Sequence, residues 1–188
     1  MKILSKIEGY IYLILYMACV PLANWMIGHI GTFCVPDGPC VIPVAPGITA
    51  PSGVLMIGAA LVLRDLVQRR MGKMWSLGAI VAGTILSAFI APPSLVIAST
   101  VAFLLSELAD FAVYTPLQKR NLSLAVFLSS SVGAVVDSVI FLHLAFGSLE
   151  FVEGQIIGKI LMAVCATVII SIFGNFQRMP VRTTGTDI

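Results

Sequence analysis

Two adjoining stretches decide the fold: IASTVAFLLSELADFAVYTPL at 97–117 and SLAVFLSSSVGAVVDSVIFLHLAFG at 123–147. Each is long enough to cross a bilayer as a helix, which takes roughly 17–25 mostly apolar residues. Between them lies only Gln118-Lys119-Arg120-Asn121-Leu122, a short polar turn carrying two positive charges. Two apolar helices folded back on each other around a basic turn are the signature of a multi-pass membrane protein.

The rest of the chain agrees. Of 188 residues, 59% are hydrophobic and 11% are charged, against roughly 45–50% and about 25% in soluble domains. So few charges cannot clothe a domain of this size in a polar skin. A soluble enzyme, a coiled coil, a disordered chain and a nucleic-acid binder with a basic face are therefore excluded. The net charge of +2 points to no acidic partner.

Working outward, six spans emerge, at about 7–28, 53–70, 74–90, 94–117, 122–146 and 155–173. Ala91-Pro92-Pro93 stops the third helix before the fourth starts, because proline cannot continue a helix and restrains its neighbour. The basic residues test this count. Lys2, Lys6, Arg69, Arg70, Lys73, Lys119, Arg120, Arg178 and Arg182 all fall on one side of a six-span path, while the segments around 29–52, 91–93 and 147–154 contain neither Lys nor Arg. The positive-inside rule makes the basic side cytoplasmic and, with six spans, both termini with it. The expected fold class is an all-α membrane protein. A single six-helix domain covers 1–174, and a polar, disordered cytoplasmic tail covers 175–188. Residues 1–23 read as the start of a full span rather than a cleaved signal peptide, because the apolar run continues past Pro21 through Trp25, Met26 and Ile27.

The external segment 29–52 reads as a Pro- and Gly-rich loop, apolar at Val41–Pro51. Cys34 and Cys40 flank a turn within it, either as a disulfide on an oxidising face or as free thiols. Cys19 and Cys165 read as packing residues inside spans. No zinc spacing, Walker sequence or intramembrane protease signature is present. The sequence therefore calls for no metal, no cofactor, no ATP and no enzymatic activity.

Ionisable groups inside spans mark a pathway, a partner or a cavity. Here they are Arg64 and Asp65 in the second span, Glu107 and Asp110 in the fourth, Asp137 in the fifth and Lys159 in the sixth. Glu107 and Asp110, three apart, share a helical face with Ser99, Phe103, Ser106 and Tyr114. Hydroxyls alone would suit interhelical glue, but two carboxylates point to a ligand site. Gly133 and Ala134 read as close-packing residues, and His143 as interfacial. Lys159 either joins the buried set or snorkels outward. Arg64 and Asp65 form a charge network, either buried or interfacial.

These residues carry a resemblance. The two quoted stretches, with LVLRDLVQRRMG at 61–72 and EGQIIGKILM at 153–162, resemble the queuosine precursor transporter family, also called the VUT family, from about residue 53 to 173. The resemblance implies six transmembrane helices and import across the cell membrane of 7-cyano-7-deazaguanine or a related 7-deazaguanine base. It places Asp65, Glu107, Asp110, Asp137 and Lys159 in the family's polar motifs. One position departs: Arg69 stands where many members carry an acid. The implied binding set is Glu107, Asp110, Asp137 and Lys159, with Phe103 and Tyr114 stacking on the ring, and Glu107 or Asp110 reading its donor edge. The partners expected are that base and the lipid bilayer, with no nucleic acid and with homo-oligomers allowed. The alternative is a membrane-embedded binding subunit for a vitamin-like molecule that needs a separate energising module.

The six-span path makes a direct prediction. In intact cells, a membrane-impermeant maleimide labels a Ser148→Cys variant above the wild-type background, whereas Lys119→Cys is labelled only after permeabilisation. Equal labelling of both would break the topology.

Overall fold

The computed structural model describes residues 2–36 and 38–172. The expected tail at 175–188, with Arg178 and Arg182, lies outside the described residues, as do Asp37 and the side chains of Lys2 and Lys6. Six helices run in chain order: α1 (Lys2–His29), α2 (Val54–Met71), α3 (Lys73–Ile90), α4 (Val96–Leu117), α5 (Leu122–Phe146) and α6 (Val152–Ile172). They match the six expected spans to within a few residues. Local chemistry explains why α5 begins and ends where it does. Asn121 adopts an extended conformation and its side chain accepts from the Leu124 N–H at 3.1 Å, an N-cap. Gly147, in the left-handed region at φ 62°, closes the other end with its N–H on the His143 carbonyl.

Five of the helices are long and apolar enough to cross a membrane. The exception is α2, whose second half carries Arg64, Asp65, Gln68, Arg69 and Arg70. Its place in the bundle resolves this. It packs against all the other helices, and Arg64, Asp65, Gln68 and Arg69 are all buried. The outer surface belongs to the apolar helices: Ile14, Val81, Phe89, Ile97, Val139 and Ile169 are exposed, as a lipid-facing belt requires. Cys165 is exposed on that surface and does not pack inside the bundle, unlike buried Cys19. The spacing that put both inside spans does not say which face each occupies.

Contacts between helix ends support the alternating path. Arg70 forms an ion pair with Glu8, joining the end of α2 to the start of α1. Arg69 Nη1 donates to the Gln118 carbonyl at 3.0 Å, joining the same end of α2 to the end of α4. At the opposite face, Ser52 Oγ donates to the Met26 carbonyl at 2.7 Å, holding the start of α2 against the end of α1.

The external segment is not a plain loop. It forms a three-stranded antiparallel sheet, β1 (Phe33–Cys34), β2 (Cys40–Ala45) and β3 (Ile48–Pro51). Val41 pairs with Phe33 on one side and Pro51 on the other. Pro46-Gly47 makes the β2–β3 turn, with Gly47 at φ 75°, the arrangement that puts proline second and glycine third in a type II turn. The prolines that read as loop punctuation sit at the turn and at strand positions where a missing N–H is tolerated. Cys34 and Cys40 are joined by a disulfide across β1 and β2. Val41 and Ala50 are fully buried, and the carbonyl of Thr49 lies against Gly154 at the start of α6.

Close helix contacts depend on missing side chains. A Cβ on Gly58 would meet the Lys159 Cα and the Met162 Cβ, each at 3.0 Å, where α2 crosses α6. Gly133, as expected, is such a contact: its Cβ would meet Leu61 at 2.9 Å and Asp110 at 3.1 Å. Overpacking typically costs about 1–3 kcal/mol. Gly58→Leu should therefore lower the thermal unfolding midpoint in detergent well below that of Gly78→Leu, where a Cβ meets nothing within 4 Å.

Candidate functional site

The buried ionisable side chains form two groups, one above the other along the bundle. The outer group centres on Lys159. Its ammonium donates to Asp137 Oδ2 at 2.6 Å, Ser138 Oγ at 2.8 Å and Gln155 Oε1 at 2.8 Å. An ammonium has three protons, and all three are used. Lys159 is 2% exposed, so it does not snorkel to the interface. Because the ammonium only donates, Gln155 must turn its oxygen to Lys159, leaving its NH₂ for other partners.

The inner group centres on Arg64, which is fully buried. Its Nε donates to Glu107 Oε2 at 3.1 Å. Nη1 lies 2.9 Å from Asp65 Oδ1 and donates to Gln68 Oε1 at 3.2 Å. Nη2 lies 2.5 Å from Asp110 Oδ1, at an angle that makes this an ion pair rather than a hydrogen bond. Phe111 and Tyr114 flank the guanidinium, with ring centroids 5.8 and 5.7 Å away, within cation–π range. Ser129 on α5 donates to Asp65 Oδ2 at 2.8 Å. The sequence resolves this geometry in advance only on α4, where Phe103, Ser106, Glu107, Asp110 and Tyr114 are all buried on one face.

A single long contact links the groups, from Ser106 Oγ to Asp137 Oδ1 at 3.5 Å. Between Phe103 and Asp110 the α4 axis descends about 10 Å. The outer group opens on a cavity, whereas the inner group is closed.

That cavity lies in the external half of the bundle, and all six helices and β3 contribute to its lining. Its walls include Asn24, Pro51, Ile57, Ser87, Ser99, Phe103, Phe141 and Gln155, with Asp137 and Lys159 among them. It encloses about 540 Å³ of empty space counted out to its mouth. Phe103, Asp137 and Lys159 from the expected binding set thus line the cavity. Glu107, Asp110 and Tyr114 gather around Arg64 beneath it, together with Asp65. Gln155, Ser138, Asn24 and Tyr16 went unnoticed in the sequence. Gln155 could have been found, since it sits four residues before Lys159 and so on the same face. Fully buried Tyr16 packs on Phe103 with ring centroids 6.1 Å apart, and nothing in its apolar surroundings marks it.

This geometry lies largely within one stretch of the chain. Residues 87–173, which carry Ser87, Phe103, Glu107, Asp110, Asp137, Gln155 and Lys159, match a family model described as "Putative vitamin uptake transporter". Over those residues, just under half of the chain, the sequence is similar to that family. No curated protein and no solved structure matches the chain. The match covers α4, α5, α6 and the end of α3, and leaves Arg64 on α2 to be read from its contacts. The chain thus has the helices of a multi-pass membrane protein, resembles a transporter family over α4–α6, and holds a cavity that ends on an ion pair.

Removing one partner of a buried ion pair typically costs about 3–5 kcal/mol, whereas replacing both with apolar groups is often neutral. Lys159→Met and Asp137→Leu should each destabilise the protein strongly in detergent, and the double variant should recover most of the loss. Additive losses in a double-mutant cycle would show that the two side chains act independently.

Proposed function

We propose that the chain imports a queuosine precursor, 7-cyano-7-deazaguanine or a related 7-deazaguanine base, across the plasma membrane, and that the base is taken up in the external cavity. The observation that carries this reading is the fully satisfied Lys159–Asp137 pair at the base of a cavity bearing two phenyl rings. With all three ammonium protons used, the cavity offers no free cation, which favours an uncharged ligand over a carboxylate or phosphate.

The remaining polar groups suit a guanine-like edge. The base presents a ring N–H and an exocyclic amine that a carboxylate accepts together, and Asp137 is the carboxylate on the cavity. The Gln155 NH₂ would donate to the ring carbonyl. Phe103 or Phe141 would stack on the flat ring. Glu107, Asp110 and Tyr114 would meet the ligand only after it passes Asp137, a later stage of the same route. Entry of the base into this cavity would be the first step of an alternating-access cycle.

Binding of 7-cyano-7-deazaguanine to the purified protein tests this. Base–aromatic stacking is worth about 1–3 kcal/mol, so Phe103→Ala should weaken binding by about tenfold or more, and Asp137→Asn at least as much. Wild-type protein that ignores the base, or both variants binding it as well as wild type, would remove this reading.

A further inference from the structure

The outer group balances in charge, one base against one acid. The inner group does not: Arg64 faces Asp65, Glu107 and Asp110, all at most 1% exposed. If all three acids were ionised, two negative charges would be left over in the buried interior of the bundle. On α1, Tyr16 is fully buried and its hydroxyl has no hydrogen-bond partner among the described residues. On α2, Arg64 is the central cation, and Arg69 sits near Tyr114 with its guanidinium on the Gln118 carbonyl. On α5, Ser129 is neutral and Asp137 is engaged by Lys159 of α6. Among the described residues, Arg64 forms an ion pair with each of the three acids.

A second observation locates one of the two surplus charges. Asp65 and Asp110 are gathered on one guanidinium, and Asp110 Oδ2, on a fully buried residue, has no hydrogen-bond donor. Two ionised carboxylates are both acceptors and cannot bond to each other, whereas a pair sharing one proton can. Arg64 holds an oxygen of each acid, at 2.9 and 2.5 Å, and so keeps them together.

We propose that Asp65 and Asp110 hold one proton between them and that this proton is the coupling ion of the transporter. The coupling rests on the import reading above; the proton site does not. The step makes and breaks only O–H bonds. A proton delivered through the external cavity binds one carboxylate oxygen of the pair and later leaves the same pair toward the cytoplasmic side, with no redox change. Ser106 and Asp137 stand between the cavity and the pair, and four residues, about 6 Å of α4, separate Ser106 from Asp110.

Infrared spectroscopy of the protein in lipid at neutral pH reads the proton directly, as the C=O stretch of a protonated carboxylic acid that shifts in heavy water. The wild type should show the band, and Asp65→Asn and Asp110→Asn should each abolish it. Glu107→Gln and Asp137→Asn should retain it. Ser129→Ala, which keeps both acids but removes a hydrogen bond, should move its frequency. A wild type without the band, or a band surviving both Asp→Asn changes, overturns the proposal. In proteoliposomes and sodium-free buffer, an inward proton gradient should raise initial uptake of 7-cyano-7-deazaguanine several-fold in the wild type and in Glu8→Gln, but not in Asp110→Asn. Uptake indifferent to the gradient, or responsive only to sodium, overturns the coupling. If that base is not taken up under any condition, the substrate reading fails, and the infrared band still decides whether the pair holds its proton.

Discussion

A guanidinium cannot be left bare in a bilayer, and the position of Arg64 organises the whole bundle around that constraint. A charged side chain at this depth is tolerated when it is paired. Arg64 meets the condition with Asp65 beside it, Glu107 and Asp110 from α4 and Gln68 one turn on, with Phe111 and Tyr114 at its flanks. Since those partners come from two helices and Asp65 is held in turn by Ser129 of α5, α2 cannot sit at the periphery. It becomes the axis, and the apolar helices become its shield against lipid.

The same constraint separates two kinds of buried charge. Around Arg64 the network is enclosed and rich in acid. Around Lys159 it is neutral and touches open space. Asp137 is held by Lys159 on one side and approached by Ser106 of α4 on the other. The two groups are stacked about 10 Å apart along α4, and the sheet that contributes Pro51 to the cavity lining anchors on the start of α6.

Much of this was legible in the sequence, and the limits have physical causes. Span positions follow from hydropathy and from stop signals such as Pro92-Pro93 and Gly147. The orientation follows from the one-sided Lys and Arg residues. The α4 stripe from Phe103 to Tyr114 follows from helical periodicity. Pairing does not follow, because which acid meets which base depends on how helices far apart in sequence are rotated. So Lys159 could be read as snorkelling until Asp137, Ser138 and Gln155 surrounded it. The 33–51 sheet was hidden for a different reason. Its strands are short and interrupted by proline, and they gain stability from burying Val41 and Ala50 against the bundle rather than from local propensity. Cys165 shows the remaining gap: an apolar span does not say which of its faces looks at lipid.

The claim that Arg64 holds the bundle together is tested most directly by the unfolding stability of Arg64→Met in lipid or mild detergent. The change leaves three acids without their cation, and the account predicts a loss of about 3–5 kcal/mol or failure to fold, with Arg70→Met, at the cytoplasmic end of the same helix, close to wild type. An Arg64→Met protein as stable as the wild type would contradict it.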